Sequence, residues 1–243
     1  MTQLGYFVDP GCPWTWIASR WLTSIAPHRD LEVRWRSFSP EVRDGGTRLS
    51  PEIPEHLRAV ALERRRVGTV ALRLFELLRD QVGEEAVGHF YAELGYRLND
   101  SEQPAAPPAP AVIAATLIAV GLDPELEKLA AVDPIWQAQV VASTEEAMSI
   151  VGRDAVTPVI VLEGLQPIGI SGPLVSSVPS ATDALSLWDA SATLLEHRSF
   201  FEMRRARSLP EFPSRPDRLQ TVGKRRGATD ERQTSAPSAA ISQ

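Results

Sequence analysis

The sequence predicts an α/β fold in which a large helical insertion separates the first strands of the sheet from the last. The first observation is a strand–helix–strand pattern over residues 4–35, interrupted by a proline-glycine break. The second is a helical hydrophobic repeat from about residue 51 to residue 151. The third is the return of strand patterning at residues 157–170. Together they predict one sheet assembled from two distant parts of the chain.

The first three elements follow from local pattern. Apolar residues at 4, 6 and 8 predict a short buried strand that Pro10-Gly11 ends. A helix should then begin at Cys12, because Pro13 suits the first helical turn, where its missing N–H costs nothing. The next strand is predicted at 31–35, where apolar and polar residues alternate. The helix between them carries its apolar repeat at Ile17, Trp21, Leu22 and Ile25.

The middle of the chain is predicted to be helical. Residues 104–110 are too rich in proline for a helix and predict an extended connection, after which helices resume at 112–120. Asp123-Pro124 and Asp133-Pro134 each pair an N-cap residue with a first-turn proline, so they predict two further helix starts. The apolar repeat before the proline-rich segment includes Leu57, Val60, Ala61, Val67, Val70, Leu74, Leu78, Val87, Phe90, Tyr91 and Leu94.

The last part of the chain predicts a hairpin and a closing helix. Strand patterning at 157–162 is followed by a turn at Glu163-Gly164 and a hairpin partner at 166–170. A helical repeat covers 184–195, and a short further helix is predicted at 200–203. We therefore divide the chain into a first part of the α/β domain (1–50), a helical insertion (51–151), the second part of that domain (152–212) and a disordered tail (213–243), whose composition is too polar to offset its ordering entropy.

The composition of the chain argues against several classes of function and site. The formal net charge of −6 argues against nucleic-acid binding. Neither a secretory signal nor a membrane span is expected, because the chain lacks a sufficiently long apolar stretch. Cys12 is the only cysteine, which agrees with a reducing, cytoplasmic compartment and rules out an intramolecular disulfide. We expect no metal site, since the four histidines stand apart without ligand spacing.

Cys12 is the candidate nucleophile. A lone cysteine is usually a small core residue, but a cysteine between Pro10-Gly11 and Pro13 at a strand-to-helix turn has little reason to fill a core. The unpaired amides and positive dipole end of the helix favour its thiolate form. Thr15 lies one turn along the same helix and leaves two interpretations open: its hydroxyl donates to the Cys12 sulfur, or it only fills space. Trp14, on the exposed first turn, is a candidate pocket wall.

Several segments together resemble the DsbA-like branch of the thioredoxin superfamily. Residues 7–21, with Cys12-Pro13-Trp14-Thr15 at their centre, are similar to the start of the mycothiol-dependent nitroreductases. Ser171-Gly172-Pro173 and residues 187–191 are similar to later segments of the same family. The resemblance implies an α/β thioredoxin-like (DsbA-like) fold with a large helical insertion.

The resemblance also implies a binding site for a small thiol. It implies that Pro158 is a cis-proline beside Cys12, and that Thr157 offers its backbone to a peptide-like thiol such as glutathione or mycothiol. By the same analogy Gly172 and Pro173 lie near this pocket, with Pro13 and Trp14 on its other side.

This chain departs from the family pattern at three places near the expected site. Thr15 stands where nitroreductase members carry a second cysteine, Asn99 where a histidine is expected, and Asp44 where an asparagine is expected. Any redox cycle must therefore take its second thiol from outside the chain. The departures weaken the case for nitroreduction more than the case for a thiol-centred pocket.

The sequence thus predicts a cytoplasmic, thiol-dependent oxidoreductase in which Cys12 and Thr15 are catalytic. Mycothiol or glutathione, not tightly bound, would resolve the adduct that Cys12 forms with an electrophilic or disulfide substrate. One alternative is a kappa-class-like thiol transferase or isomerase that activates the thiol of a bound cofactor; such proteins usually carry serine at the position of Cys12. Another is a binding module for a thiol or a partner that has lost turnover.

Overall fold

The sheet joins the two ends of the described chain, as the sequence predicts. The computed structural model describes residues 2–46, 49, 51, 53–99, 108–203 and 205–206. Its sheet has the order β2-β1-β3-β4, with β1 parallel to β2 and β3 antiparallel to both β1 and β4. The tail predicted at 213–243 lies outside the described residues. The strands are β1 (Thr2–Val8), β2 (Leu31–Ser37), β3 (Val159–Leu162) and β4 (Ile168–Ser171).

Six of the described α-helices lie between β2 and β3 in sequence, and five of these, α3 to α7, fall within the segment 51–151 where the helical insertion is predicted. Asp133 caps α7 as expected, its carboxylate accepting from the N–H of Ile135 at 2.9 Å. The helices are α1 (Pro13–Ile25), α2 (Pro40–Asp44), α3 (Arg58–Gln81), α4 (Glu84–Asn99), α5 (Ala109–Ala119), α6 (Leu126–Val132), α7 (Pro134–Val151) and α8 (Ala181–Glu196), with short 3-10 helices at Ala26–His28 and Glu55–Leu57.

Two predicted helix starts and one predicted helix are wrong. Helix α5 begins at Ala109, because Pro110 falls in the first helical turn, where proline is tolerated. Helix α6 begins at Leu126, since the Asp123 carboxylate accepts from the N–H of Glu125 at 2.9 Å and holds the residues before it in a turn. The short helix predicted at 200–203 is absent from the described residues 200–203, where Phe201 and Met203 are exposed and have no core to pack against.

Helix α1 carries the centre of the core and anchors α8. Trp16 and Trp21 of α1 are almost completely buried. The indole N–H of Trp21 donates to the Ala184 carbonyl at 3.0 Å, and its ring contacts that of Trp188 with centroids 6.3 Å apart. One aromatic contact and one hydrogen bond thus fix the closing helix against the helix that begins at the cysteine.

The insertion contacts α1 through aromatic edges. The Trp16 ring meets the rings of Tyr91 and Tyr96 on α4 edge-on, at centroid distances of 5.9 and 4.8 Å. It lies directly over Gly95, where an added Cβ would come within 2.1 Å of its six-membered ring. A glycine is therefore required here for α4 to approach α1.

The insertion also covers the outer edge of the sheet. Strand β2 pairs only with β1, so its other edge exposes unpaired backbone groups. The N–H of Trp35 donates to the Glu84 carboxylate at 2.9 Å, and its carbonyl accepts from Arg79. Arg79 in turn pairs with Glu84. Side chains from α3 and α4 thereby replace a missing neighbouring strand. None of the helices in the described ranges combines the length and apolar character needed to cross a membrane.

Replacing Gly95 with alanine should destabilise the fold. A helical Gly-to-Ala change gains about 1 kcal/mol in helix propensity, but the new methyl group overlaps the buried Trp16 ring, and overpacking costs about 1–3 kcal/mol. We expect the clash to dominate, with a lower free energy of unfolding in urea. Gly164→Ala is the matched control, because nothing lies within 4 Å of its Cβ position. Equal stability of the two variants would contradict the packing described for α1 and α4.

Candidate active site around Cys12

Cys12 occupies the N-cap position of α1. Its backbone is extended (φ −86°, ψ 117°), its carbonyl accepts from the N–H of Trp16 at 3.1 Å, and its own N–H donates to the Asp9 carbonyl at 3.0 Å. The side chain makes no capping hydrogen bond and is partly exposed. The sulfur is therefore available at the positive end of α1.

Cys12 opens into a small cleft assembled from distant parts of the chain. The cleft has a volume of about 160 Å³. Two of its walls come from the strand-to-helix turn and from the segment before β3, and two from helices α2 and α3. Its lining residues are Asp9, Cys12, Trp14, Pro40, Arg43, Arg65, Val156, Thr157 and Leu174.

The residues singled out from the sequence divide into two groups. Cys12, Trp14 and Thr157 line the cleft together. The others lie beside it and do not line it: Pro13, Thr15, Pro158, Gly172 and Pro173. The Thr157–Pro158 and Gly172–Pro173 peptide bonds are both cis, the first as the resemblance implies.

Thr15 does not donate to the Cys12 sulfur in this structure. Its side chain is fully buried in the first turn of α1, and its hydroxyl has no hydrogen-bond partner. The carbonyl of Thr15 accepts from the Tyr6 hydroxyl at 3.3 Å, so a side chain of β1 binds the backbone of this turn. Of the two interpretations of Thr15, the structure thus lacks the hydrogen bond to the Cys12 sulfur, and a catalytic role for this residue stays a prediction.

Asp9 is a buried carboxyl group at the edge of the cleft. It is only 7% exposed, and its Oδ1 accepts from the N–H of Gly11 at 2.9 Å. Burial raises the pKa of Asp9 from its ordinary 3.8 to about 6, outweighing the Gly11 hydrogen bond and the positive charges of Arg65 and Arg64, which favour the carboxylate. Asp9 thus both shapes the turn before Cys12 and titrates close to neutral pH.

Arg64 joins the cysteine turn to the helical insertion. Its Nε donates to the Gly11 carbonyl at 3.2 Å, its Nη1 to the Leu98 carbonyl at 2.6 Å, and its Nη2 to Oδ1 of Asn99. Burial lowers the pKa of Arg64, while its charge interactions with Cys12 and Asp9 act in the opposite direction. A buried cation therefore lies behind the turn that carries the candidate nucleophile.

Two glycines allow this close approach. A Cβ on Gly11 would lie 2.3 Å from the backbone carbonyl oxygen of Arg64, and one on Gly68 would lie 2.6 Å from Oδ1 of Asp9. Helix α3 can therefore touch the cysteine turn only because neither position has a side chain.

Arg43 and Arg65 place positive charge in the cleft itself. The Arg43 guanidinium pairs with both oxygens of Asp44, at 2.6 and 2.9 Å, and also donates to the Ala155 carbonyl. Arg65 forms no ion pair with any residue that the structure describes, and its Nη1 is buried without a hydrogen-bond partner. The two arginines thus differ: Arg43 forms a direct ion pair with Asp44, whereas Arg65 has only a longer-range charge interaction with Asp9.

A run of three arginines, as at 64–66, predicts a solvated helix face, and this prediction is wrong for two of the three. Arg66 is exposed and pairs with Glu63, but Arg64 binds the cysteine turn and Arg65 lines the cleft. The helical repeat is the signal that could have identified Arg64. Arg64 lies three residues before Val67, which is fully buried, so it falls near the packed face of α3.

The backbone N–H and carbonyl of Thr157 are free to bind a ligand in the cleft. The neighbouring Val156 has both its N–H and its carbonyl engaged by the Ser171 hydroxyl, and the Pro158 carbonyl accepts from the N–H of Gly172. Within the described ranges, the N–H and carbonyl of Thr157 form no hydrogen bond, although the residue is only 9% exposed. Buried backbone groups are normally paired, so this position suits an extended, peptide-like ligand.

Comparison with known sequences identifies a family and one relative. Residues 11–205 match the Rv2466c-like family, described as mycothiol-dependent nitroreductase Rv2466c. The chain is also similar to the uncharacterized protein Rv2286c of Mycobacterium tuberculosis, with 24% identity over 209 residues that cover 86% of this chain and 84% of the relative.

Comparison with solved structures shows the same fold. A putative protein disulfide isomerase from Nitrosomonas europaea has a TM-score of 0.52 and 16% identity, covering 78% of this chain and 98% of its own. The probable DsbA oxidoreductase SCO1869 from Streptomyces coelicolor has a TM-score of 0.51 and 18% identity, covering 85% and 95%. The cytosolic disulfide reductase DsbM from Pseudomonas aeruginosa with GSH has a TM-score of 0.51 and 14% identity, covering 79% and 99%. These likenesses confirm the DsbA-like, thioredoxin-like architecture.

The raised pKa of Asp9 predicts a pH-dependent contribution to stability. The folded state binds this proton more tightly than the unfolded state, so the contribution is fully present below the ordinary pKa of 3.8 and is lost as pH rises through about 6. In Asp9→Asn the carbonyl oxygen can still accept from Gly11, but the ionisation is removed. Between about pH 4 and pH 8, the difference in unfolding free energy should therefore shift in favour of the variant by up to about 3 kcal/mol.

Urea denaturation of both proteins across this pH range measures the shift. Each protein serves as its own reference at the acid end, where Asp9 is protonated. A difference between variant and wild type that stays constant with pH would contradict the burial and pKa assigned to Asp9.

Proposed function

Because the chain belongs to the Rv2466c-like family of mycothiol-dependent nitroreductases, and is therefore a thiol-dependent oxidoreductase, we propose that Cys12 is its single nucleophile. The observation that supports this most strongly is the position of Cys12: partly exposed, at the N-cap of α1, in a cleft that Arg65 and Thr157 also line. We place the activity in the cytoplasm, since a chain with one cysteine has no disulfide to maintain.

The chemistry begins with the Cys12 thiolate. Helix α1 begins at Cys12 and presents its sulfur to the cleft, with the Arg64 guanidinium behind the same turn. The Cys12 sulfur attacks one sulfur of a disulfide substrate, so that one S–S bond forms as another breaks and the departing sulfur leaves as a thiolate. Cys12 is oxidised in this step and the departing sulfur is reduced. An electrophilic carbon would be attacked by the same sulfur.

A low-molecular-weight thiol would supply the second thiolate that this chain lacks. Thr15 occupies the position of the family's second cysteine, so no internal thiol can resolve the adduct. We propose mycothiol, with glutathione as the alternative, as the thiol that releases Cys12. Mycothiol is the thiol named in the description of the family. Glutathione is the ligand named for one solved structure of the same fold, DsbM with GSH.

The residues around Cys12 would hold this thiol. The free N–H and carbonyl of Thr157 can pair with its peptide-like backbone, as in strand addition. Trp14 forms an apolar wall, and Pro13 sets the point where α1 begins and so where the Cys12 sulfur lies. Two chain segments bring Thr157 and Leu174 into the cleft, one just before β3 and one just after β4. We propose that these segments are positioned by Pro158, Gly172 and Pro173.

The proposal predicts one reversible thiol adduct on Cys12. Wild-type protein incubated with mycothiol disulfide or glutathione disulfide should gain the mass of a single thiol on the intact chain, and excess thiol should remove it. Cys12→Ser should gain nothing, because an alcohol does not exchange with disulfides. Intact-protein mass spectrometry measures both.

The same experiment separates the alternatives. A transferase that activates a bound cofactor thiol, or a module that only binds thiols, would show saturable binding of the free thiol without a covalent adduct. Absence of an adduct with both disulfides, while denatured Cys12 still reacts with an alkylating reagent, would refute the monothiol mechanism.

A further inference from the structure

We propose that the cleft beside Cys12 is a carboxylate-binding subsite and that Arg65 holds the anionic group of the substrate that Cys12 attacks. The inference rests on the proposed function and names the substrate class: a small disulfide or electrophile that carries a carboxylate a few bonds from the reacting atom. Three observations support it, namely the unpaired donor on Arg65, the charge balance of the cleft and the size of the cleft.

The unpaired donor is Nη1 of Arg65. This nitrogen is buried, yet no described residue accepts a hydrogen bond from it. A buried charged donor without a partner is unfavourable, and the ligand that satisfies a guanidinium best is a carboxylate, which can accept two parallel hydrogen bonds. Because Nη1 itself is covered, a carboxylate must approach the guanidinium from the part of Arg65 that lines the cleft, and a ligand held there lies beside Cys12.

Among the residues that line the cleft, two are arginines and one is a carboxylic acid. Asp44 pairs with Arg43, while Asp9 interacts with the charge of Arg65 without a direct ion pair and has its Oδ1 occupied by the Gly11 N–H. Arg64 adds a further positive charge behind the turn, bound to carbonyl oxygens and an amide. A ligand carboxylate would therefore give Arg65 the direct ion pair that Asp9 does not form.

The volume of the cleft limits what can enter. About 160 Å³ is smaller than the roughly 300–1,000 Å³ of sites that enclose drug-sized ligands. It can hold the reacting half of a small disulfide with a short acidic arm. The remainder of a larger substrate would extend out along the free backbone of Thr157.

Two disulfides of similar size, one anionic and one neutral, test the subsite. Dithiodipropionate carries one carboxylate on each half, and bis-hydroxyethyl disulfide is neutral. With either probe the Cys12 thiolate attacks one sulfur, a mixed disulfide forms and the other half leaves as a thiolate, so the departing thiol measures the rate. The ratio of the two rates reports recognition of the carboxylate, because any effect of a substitution on the thiolate itself changes both rates equally.

Arg65→Gln should lower this ratio, anionic over neutral, by about five- to tenfold, the effect expected when one charge-assisted contact is lost. Arg65→Lys, which keeps the charge but not the fork of donors, should retain part of it. Arg66→Gln is the matched control, since it removes one positive charge from the next residue of α3, where the side chain is 72% exposed. It should leave the ratio unchanged. Added salt should lower the wild-type ratio towards that of Arg65→Gln.

The possible failures are distinguishable. If the ratio in Arg65→Gln equals that of wild type while the neutral probe still reacts, Arg65 does not recognise the substrate and the carboxylate subsite is wrong. If the neutral probe fails to modify wild-type Cys12, the proposed function is wrong, and this inference falls with it. The rate with the neutral probe also shows whether each variant retains a folded, reactive site.

Discussion

The contact between helix α3 and the cysteine turn is the constraint on which the site depends. Gly11 and Gly68 let the two backbones meet, and the Arg64 guanidinium then binds the Gly11 carbonyl on one side and the end of α4 on the other. A residue of the insertion thereby fixes the turn that presents Cys12. The same residue brings a positive charge within interaction range of Cys12. One side chain of the insertion thus contributes both to the position of the nucleophile and to the charge around it.

This contact gives a physical reason for one of the departures from the family pattern. The resemblance leads one to expect a histidine where this chain has Asn99. Here the amide of Asn99 accepts from Arg64 through Oδ1 and donates through Nδ2 to the Gly95 carbonyl at 2.7 Å. A neutral histidine could also donate and accept, but Asn99 does so while adding no titratable group beside the buried cation. The contact that Asn99 makes between α4 and Arg64 therefore does not itself titrate.

The sequence was sufficient for the fold and for the position of Cys12, because both follow from local pattern. The strand before Pro10, the first-turn proline of α1 and the proline at the start of β3 are all read from neighbouring residues. Arg64 and Arg65 could not be placed in the same way. Their run of charge is typical of a solvated helix face, and only the packing of α3 against a turn some fifty residues earlier in the chain brings them to the site. The burial of Asp9 was missed for the same reason, since a carboxylate in a turn is usually solvated.

The central claim is that Arg64 holds the turn that presents Cys12 as a nucleophile, and the rate of Cys12 alkylation by neutral iodoacetamide at constant pH tests it most directly. Arg64→Gln should react about tenfold more slowly than wild type, because it loses the hydrogen bond to the Gly11 carbonyl and a positive charge behind the turn. Arg64→Lys should lie between the two, and Arg66→Gln should match wild type. A folded Arg64→Gln protein that is alkylated at the wild-type rate would contradict the account.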